Sequence, residues 1–478
     1  MLSIFIFYSQ KIKKIQIFIQ LMNDVSAIQS LFDYYENVLN GNITDYAKKK
    51  LRLRLPICPL SLLKTIIENA RVAFSKETNS ESSSTLPPLQ SFSNTPFSLN
   101  IVLSGNKPIL DISGPIIVVG DLNGHLIDLF RLLKTFGSPK QTKYLFLGNF
   151  VNNGNFSIQV TTLLFIMKIL FPTNVYILRG FQEFRDSCDD HGFWNEIYKT
   201  YGHNRQIYMS FMKAFSYMPL ASIVDHSIFC VSGGIGCNVT NLDLINSIHI
   251  PTNNFNDGKI ADLLLSDPTE SLPLFLPNVR GEGTLFGSVA VKNFLEKISA
   301  KVIVRSKQVV NDGINVLFDG TCVSIISSST NSGNKIAVLK VNNGEYSPSV
   351  FDNLLDVTPD CVHFIETEDE NEFRSFICSR GFEASKLARL NVSASREFKQ
   401  PLSPSPIMQK QQSKISTSLS FNGLSLIKDS SKSERKESLN LMMKSSMKKS
   451  RNNSPILKMK SQNCRKTDIN SPLTFSDC

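Results

Sequence analysis

The sequence predicts an α/β fold, and three observations carry that expectation. Five short apolar runs, Pro115–Gly120, Tyr144–Gly148, Asn174–Gly180, Ser227–Val231 and Lys301–Arg305, lead into loops rich in Gly, Asn and Ser. Each run is rich in Ile, Val, Leu, Phe or Tyr and is closed by a turn former, as a buried strand would be. Apolar residues then recur at spacings of three and four, at Leu126, Leu129, Phe130, Leu132 and Leu133 and again at Val160, Leu163, Leu164, Ile166 and Met167, which is the helical period. Strand, loop and helix repeated in this order make an α/β core, whose strand-end loops gather on one edge where a ligand site forms.

Those loops hold the residues of interest. The first carries Asp121, Asn123, Gly124 and His125, the second Asn149, Asn152, Asn153 and Gly154, and the third Phe181, Gln182 and Glu183. The fourth carries Ser232, Gly233 and Gly234, and the fifth Ser306, Lys307 and Gln308. In order and spacing the five segments resemble the serine/threonine protein phosphatases of the metallophosphoesterase superfamily. That family's signatures read Gly-Asp-x-His-Gly, Gly-Asp-x-Val-Asp-Arg-Gly, Arg-Gly-Asn-His-Glu, His-Gly-Gly and Arg-Ala-His-Gln-Val-Val. The similarity runs from about residue 100 to 365 and extends to Leu178–Gly180, Phe215–Ala221, Arg280–Gly281 and Gln308–Gly313. It implies a central β-sandwich flanked by helices.

Carried over position by position, the resemblance implies a depleted centre. Of six metal-ligand positions, only Asp121 keeps its residue; the other five hold Asn123, Asn149, Phe181, Ser232 and Lys307. The position of the histidine that protonates the leaving group holds Gln182, and that of the aspartate orienting it holds Asn152. Of the two phosphate-clamping arginines, one is replaced by Asn153 and the other corresponds to Arg280; the late tyrosine position falls near Asn331. Two dications about 3.5–4 Å apart need anionic bridges and imidazole nitrogens. Neutral amides replace these poorly, a phenyl ring donates nothing, and an ammonium about 4 Å from a dication is repelled by roughly 8 kcal/mol at a dielectric of 20. The expectation is therefore no resident metal. Without one, Asp121 is a costly carboxylate at a cleft floor. Lys307 either supplies the missing charge within a network of Asn123, Asn149 and Asn152 or extends to solvent.

Three further groups have competing readings. His125 is expected as a helix-start residue rather than a ligand. Asp189, Asp190 and His191 form a dense acidic and imidazole cluster, expected on a surface loop or helix start. Arg280 is either a phosphate or acidic-peptide fork or half of an internal salt bridge. Glu183 matches a family position that is structural.

The 478 residues, 42% apolar, suffice for a full-sized core. Nine cysteines without paired spacing point to reduced thiols in the cytosol or nucleus. From 396 to 478 there are 16 Lys or Arg against 6 Asp or Glu, which leaves 35 of each sign elsewhere and places the whole net charge of +10 in this tail. Rich in Ser, Lys, Gln and Asn, the tail is expected to be disordered. Its Ser-Pro pairs at Ser403, Ser405, Ser454 and Ser471 are candidate phosphorylation sites, and its basic clusters suit nucleic acid, an anionic surface or an acidic partner. The amino end, broken by Lys11, Lys13 and Lys14, is expected to form neither a membrane span nor a signal peptide.

The expected organisation is a non-core segment 1–21, a helical segment and Ser-rich linker 22–97, a phosphatase-like domain 98–365, an extension 366–395 and the tail 396–478. Helices are predicted over Asn23–Leu39 and Pro59–Phe74. Three functions are consistent with these residues. The first is a catalytically inactive pseudophosphatase binding a phosphoprotein or regulatory partner. The second is an active phosphoprotein phosphatase with two divalent metals (Mn, Fe or Zn) on atypical ligands, and the third is a scaffold acting through the basic tail.

Overall fold

A computed structural model of the chain describes residues 24–47, 52–78, 107–278, 281–354, 357–367, 369 and 371–377. The amino segment 1–21, most of the Ser-rich linker, Arg280 and the basic tail lie outside the described residues.

Two sheets face each other. One has six strands in the order Ile314–Leu317, Cys322–Ile325, Val302–Arg305, Ile228–Val231, Ala221–Val224 and Ile109–Ile112. The other has five, in the order Glu345–Phe351, Ile336–Asn342, Ile116–Val119, Tyr144–Phe146 and Val175–Ile177. All five apolar runs form strands within these sheets. Alternation along each strand explains the layering, because successive side chains point to opposite faces. Val118, Leu145, Val302, Val304, Val323 and Leu339 meet between the sheets. Ile117, Val119 and Phe146 point the other way, into helices, and Ile303 does so from the second sheet.

Helices cover both outer faces, as expected. Leu126–Phe136 and Ser157–Leu170 lie on the five-stranded sheet, with the 24–40 helix and Leu60–Thr78 packed in the same cluster. Gly258–Leu265 and Ser288–Ile298 lie on the six-stranded sheet. The predicted amino-terminal helices extend by a residue or a turn beyond their expected ends. A connection the sequence did not disclose joins the two ends of the described chain: Leu53–Pro56 pairs in parallel with Val362–Ile365, and Arg374 bonds Asp24 at 3.1 Å.

Candidate functional site

The strand-end loops converge as expected. Gly148, at φ 99°, passes so close to Gly180 that a β-carbon on either would overlap the other loop. Bare backbone is required where the second and third loops touch. Glu183 fastens this crossing. Its buried carboxylate accepts the backbone N–H groups of Asn149 (2.9 Å), Phe150 (2.8 Å), Val151 (3.3 Å) and Gly180 (2.8 Å). Burial pushes its pKa up to about 7 against the pull of those four donors, so the residue organises the loops rather than facing a ligand.

Asn149 lies at the centre. Its side-chain oxygen accepts the N–H of Gln182 at 3.0 Å, which fixes the orientation of the amide. The nitrogen then donates to both carboxylate oxygens of Asp121, each at 3.2 Å, and to Ser232 Oγ at 3.1 Å. Asp121, Asn149 and Ser232 are all buried. Burial raises the Asp121 pKa to about 6, against the pull of the Asn149 amide. Ser306 Oγ also accepts the Asp121 N–H at 2.7 Å. Asn123, at the rim, donates to Ser328 Oγ at 3.1 Å and accepts from the exposed Asn153 at 3.4 Å.

Asn152 and Gln182 form a bonded pair of side-chain amides. Asn152 Nδ2 donates to Gln182 Oε1 at 2.7 Å, while its oxygen accepts the N–H of Phe193 at 2.9 Å. Ser187 Oγ donates to the same Gln182 oxygen at 2.6 Å. Neither side chain carries a proton that titrates near neutrality. Phe181 turns its ring onto Phe255, with centroids 4.8 Å apart.

Lys307 departs from both sequence readings. Its ammonium neither neutralises Asp121 nor extends into solvent: it bonds the carbonyl of Leu265 and sits 3.5 Å from the Asp267 carboxylate, with its side chain 12% exposed. Its backbone stands at φ 78°. Arg305 completes the cluster, fully buried, with Nη2 at 3.0 Å from Asp267. Sequence reasoning missed Asp267 because it lies 40 residues from Lys307; its position directly after the buried run Leu263–Ser266 was the available signal.

The remaining candidates fall elsewhere. His125 caps the Leu126–Phe136 helix by position without a side-chain bond to it. The Asp189, Asp190 and His191 cluster ends the Arg185–His191 helix rather than starting one or lying in a loop. Asp189 is bound there by Tyr208 and by Arg185 at 3.4 Å. Asn331 is exposed, whereas Ser327, Ser328 and Ser329 are buried, and Ser329 bonds the Asp128 carboxylate. Arg280 lies outside the described residues.

The donor set does not fit a two-metal centre. The Asn149 amide presents N–H groups, not lone pairs, to the Asp121 carboxylate, and no group of three or more His, Cys, Asp or Glu able to hold an ion occurs among the described residues. Ligands must be lone-pair donors.

Residues 114–306 match the calcineurin-like phosphoesterase family. The chain is 35% identical over 252 residues to the serine/threonine-protein phosphatase 4 catalytic subunit of Saccharomyces cerevisiae, covering 52% of this chain and 81% of that protein. It is 29% identical over 257 residues to the serine/threonine-protein phosphatase 6 catalytic subunit of Caenorhabditis elegans, covering 53% and 77%. Among solved structures, a Saccharomyces cerevisiae serine/threonine phosphatase with similarity to human phosphatase PP5 shares the fold. Its TM-score is 0.52 at 23% identity, over 65% of this chain and 92% of that one.

Proposed function

This chain belongs to the serine/threonine protein phosphatase family of calcineurin-like phosphoesterases, and from that premise we infer that it is a pseudophosphatase: it keeps the family's scaffold as a binding platform for a phosphoprotein or regulatory partner and has lost hydrolysis. The observation that carries this reading is the Asn149 amide donating to both oxygens of Asp121. The resembled family has at this position an aspartate that bridges both metals, and an N–H donor in its place opposes the capture of two cations that family chemistry needs to activate water. The Asn152 and Gln182 pair supports it independently, since a carboxamide cannot protonate a departing serine or threonine alkoxide.

The test uses the full chain, loaded in turn with manganese, iron and zinc, and measures bound metal per chain together with turnover of phosphoserine and phosphothreonine peptides. Expected are metal near zero and no turnover above that of Asp121→Ala, with binding of the same peptides or of a folded phosphoprotein retained. Turnover that Asp121→Ala abolishes overturns the reading in favour of an active phosphatase on atypical ligands.

A further inference from the structure

Metal ions in a two-metal phosphatase do structural work as well as chemistry, because they draw the strand-end loops onto one point. Here the same loops converge without a fitting donor set, so another device must hold them. Asn149 touches three loops besides its own: the first through Asp121 Oδ1 and Oδ2, the third through the N–H of Gln182, and the fourth through Ser232 Oγ. The fifth loop joins through Ser306, whose Oγ accepts the Asp121 N–H and donates to Ile325 O at 2.8 Å.

Every polar atom of the Asn149 side chain is used, and all its partners are bonded within the protein. The backbone suits this residue too. Asn149 sits at φ 52°, and Asn123, Asn152 and Asn153 are likewise at positive φ, a region that Asn tolerates better than most side chains.

We propose that the Asn149 carboxamide is an internal hydrogen-bonded substitute for the metal pair, a latch that gathers four of the loops directly, with the fifth joined through Asp121, so that the core folds independently of divalent cations. The proposal rests on the metal-free reading of the centre and adds to it a specific cause of stability.

Thermal unfolding of the full chain in chelator and in manganese tests it, with Asn149→Asp, Asp121→Asn and the exchanged double variant Asp121→Asn/Asn149→Asp. The wild type should melt at the same temperature in both buffers. Asn149→Asp, which sets two carboxylates against each other, should melt lower by about 5 °C in chelator and recover in manganese. The exchanged variant, which restores one amide facing one carboxylate, should recover much of the loss in chelator without any metal. A wild type stabilised by manganese overturns both this proposal and the metal-free reading. A wild type indifferent to manganese, with Asn149→Asp unimpaired or the exchange giving no recovery, overturns the latch alone.

Discussion

At Lys307 a single side chain ties two loops together away from Asp121. Its ammonium shares the buried Asp267 carboxylate with Arg305, and its short bond to the Leu265 carbonyl ties the fifth loop to the end of the Gly258–Leu265 helix. Removing one partner of a nearly buried pair leaves the other undercompensated, although Arg305 remains beside Asp267 here. Lys307→Ala should therefore cost about 1–3 kcal/mol, and Lys307→His, which cannot span the same reach, a similar amount. A denaturation cycle with Asp267→Asn checks this: the double variant should lose less than the sum of the two single losses, and strict additivity would remove the tie. The same residue marks the limit of sequence reading. Its charge and its place in the fifth loop were legible from the motif. Its partner was not, because side-chain direction at positive φ depends on a loop 40 residues away.

The Ser157–Leu170 helix shows how an element depends on a residue far from it in sequence. Phe156 at its N-cap offers no side-chain acceptor, so its first amides need another. Glu196, from the Phe193–Tyr201 helix, accepts Ser157 N–H at 2.9 Å and Ile158 N–H at 2.8 Å. Burial raises its pKa from 4.5 to about 7, opposed by those N–H groups. A carboxyl group whose folded pKa is raised binds its proton more tightly in the folded chain, so this contribution is full below about pH 4.5 and is lost as pH rises through about 7. Glu196→Gln keeps one acceptor and cannot ionise. Stability curves of the two proteins should converge or cross in the variant's favour between those pH values, and curves that stay parallel would show that Glu196 does not titrate there. The helix itself was legible, since its 3.6-residue apolar period is local. So were the five strands, whose short apolar runs end in turn formers. The capping carboxylate was not, because no local pattern in the Phe193–Tyr201 segment marks which helix start its glutamate will reach.

Over the whole molecule, the described ends of the chain close the helical layer on the five-stranded sheet. Ile28, Leu31, Leu63, Ile66 and Phe74 from the amino-terminal helices join one apolar cluster with Phe130, Leu163 and Phe165, and Phe373 and Ile377 enter the same cluster from residues 371–377. Periodicity alone predicted the amino-terminal helices, while their union with residues near 370 needed the pairing of Leu53–Pro56 with Val362–Ile365. A two-stranded parallel pair is weak on its own. The apolar contacts beside it must therefore supply most of the hold, and Phe373, with no exposed surface, is the natural probe. Phe373→Ala should destabilise the protein by about 3–5 kcal/mol, the usual cost of emptying a buried phenyl site. Arg374→Ala, which removes the partly exposed bond to Asp24, should cost no more than about 1 kcal/mol. Urea denaturation with hydrogen exchange distinguishes two forms of that loss. If the chain ends are integral to the core, Phe373→Ala lowers the single global transition and speeds exchange in the Leu60–Thr78 helix as well as near residue 370. If residues 371–377 are only appended, exchange quickens there alone and the global midpoint stays where it was.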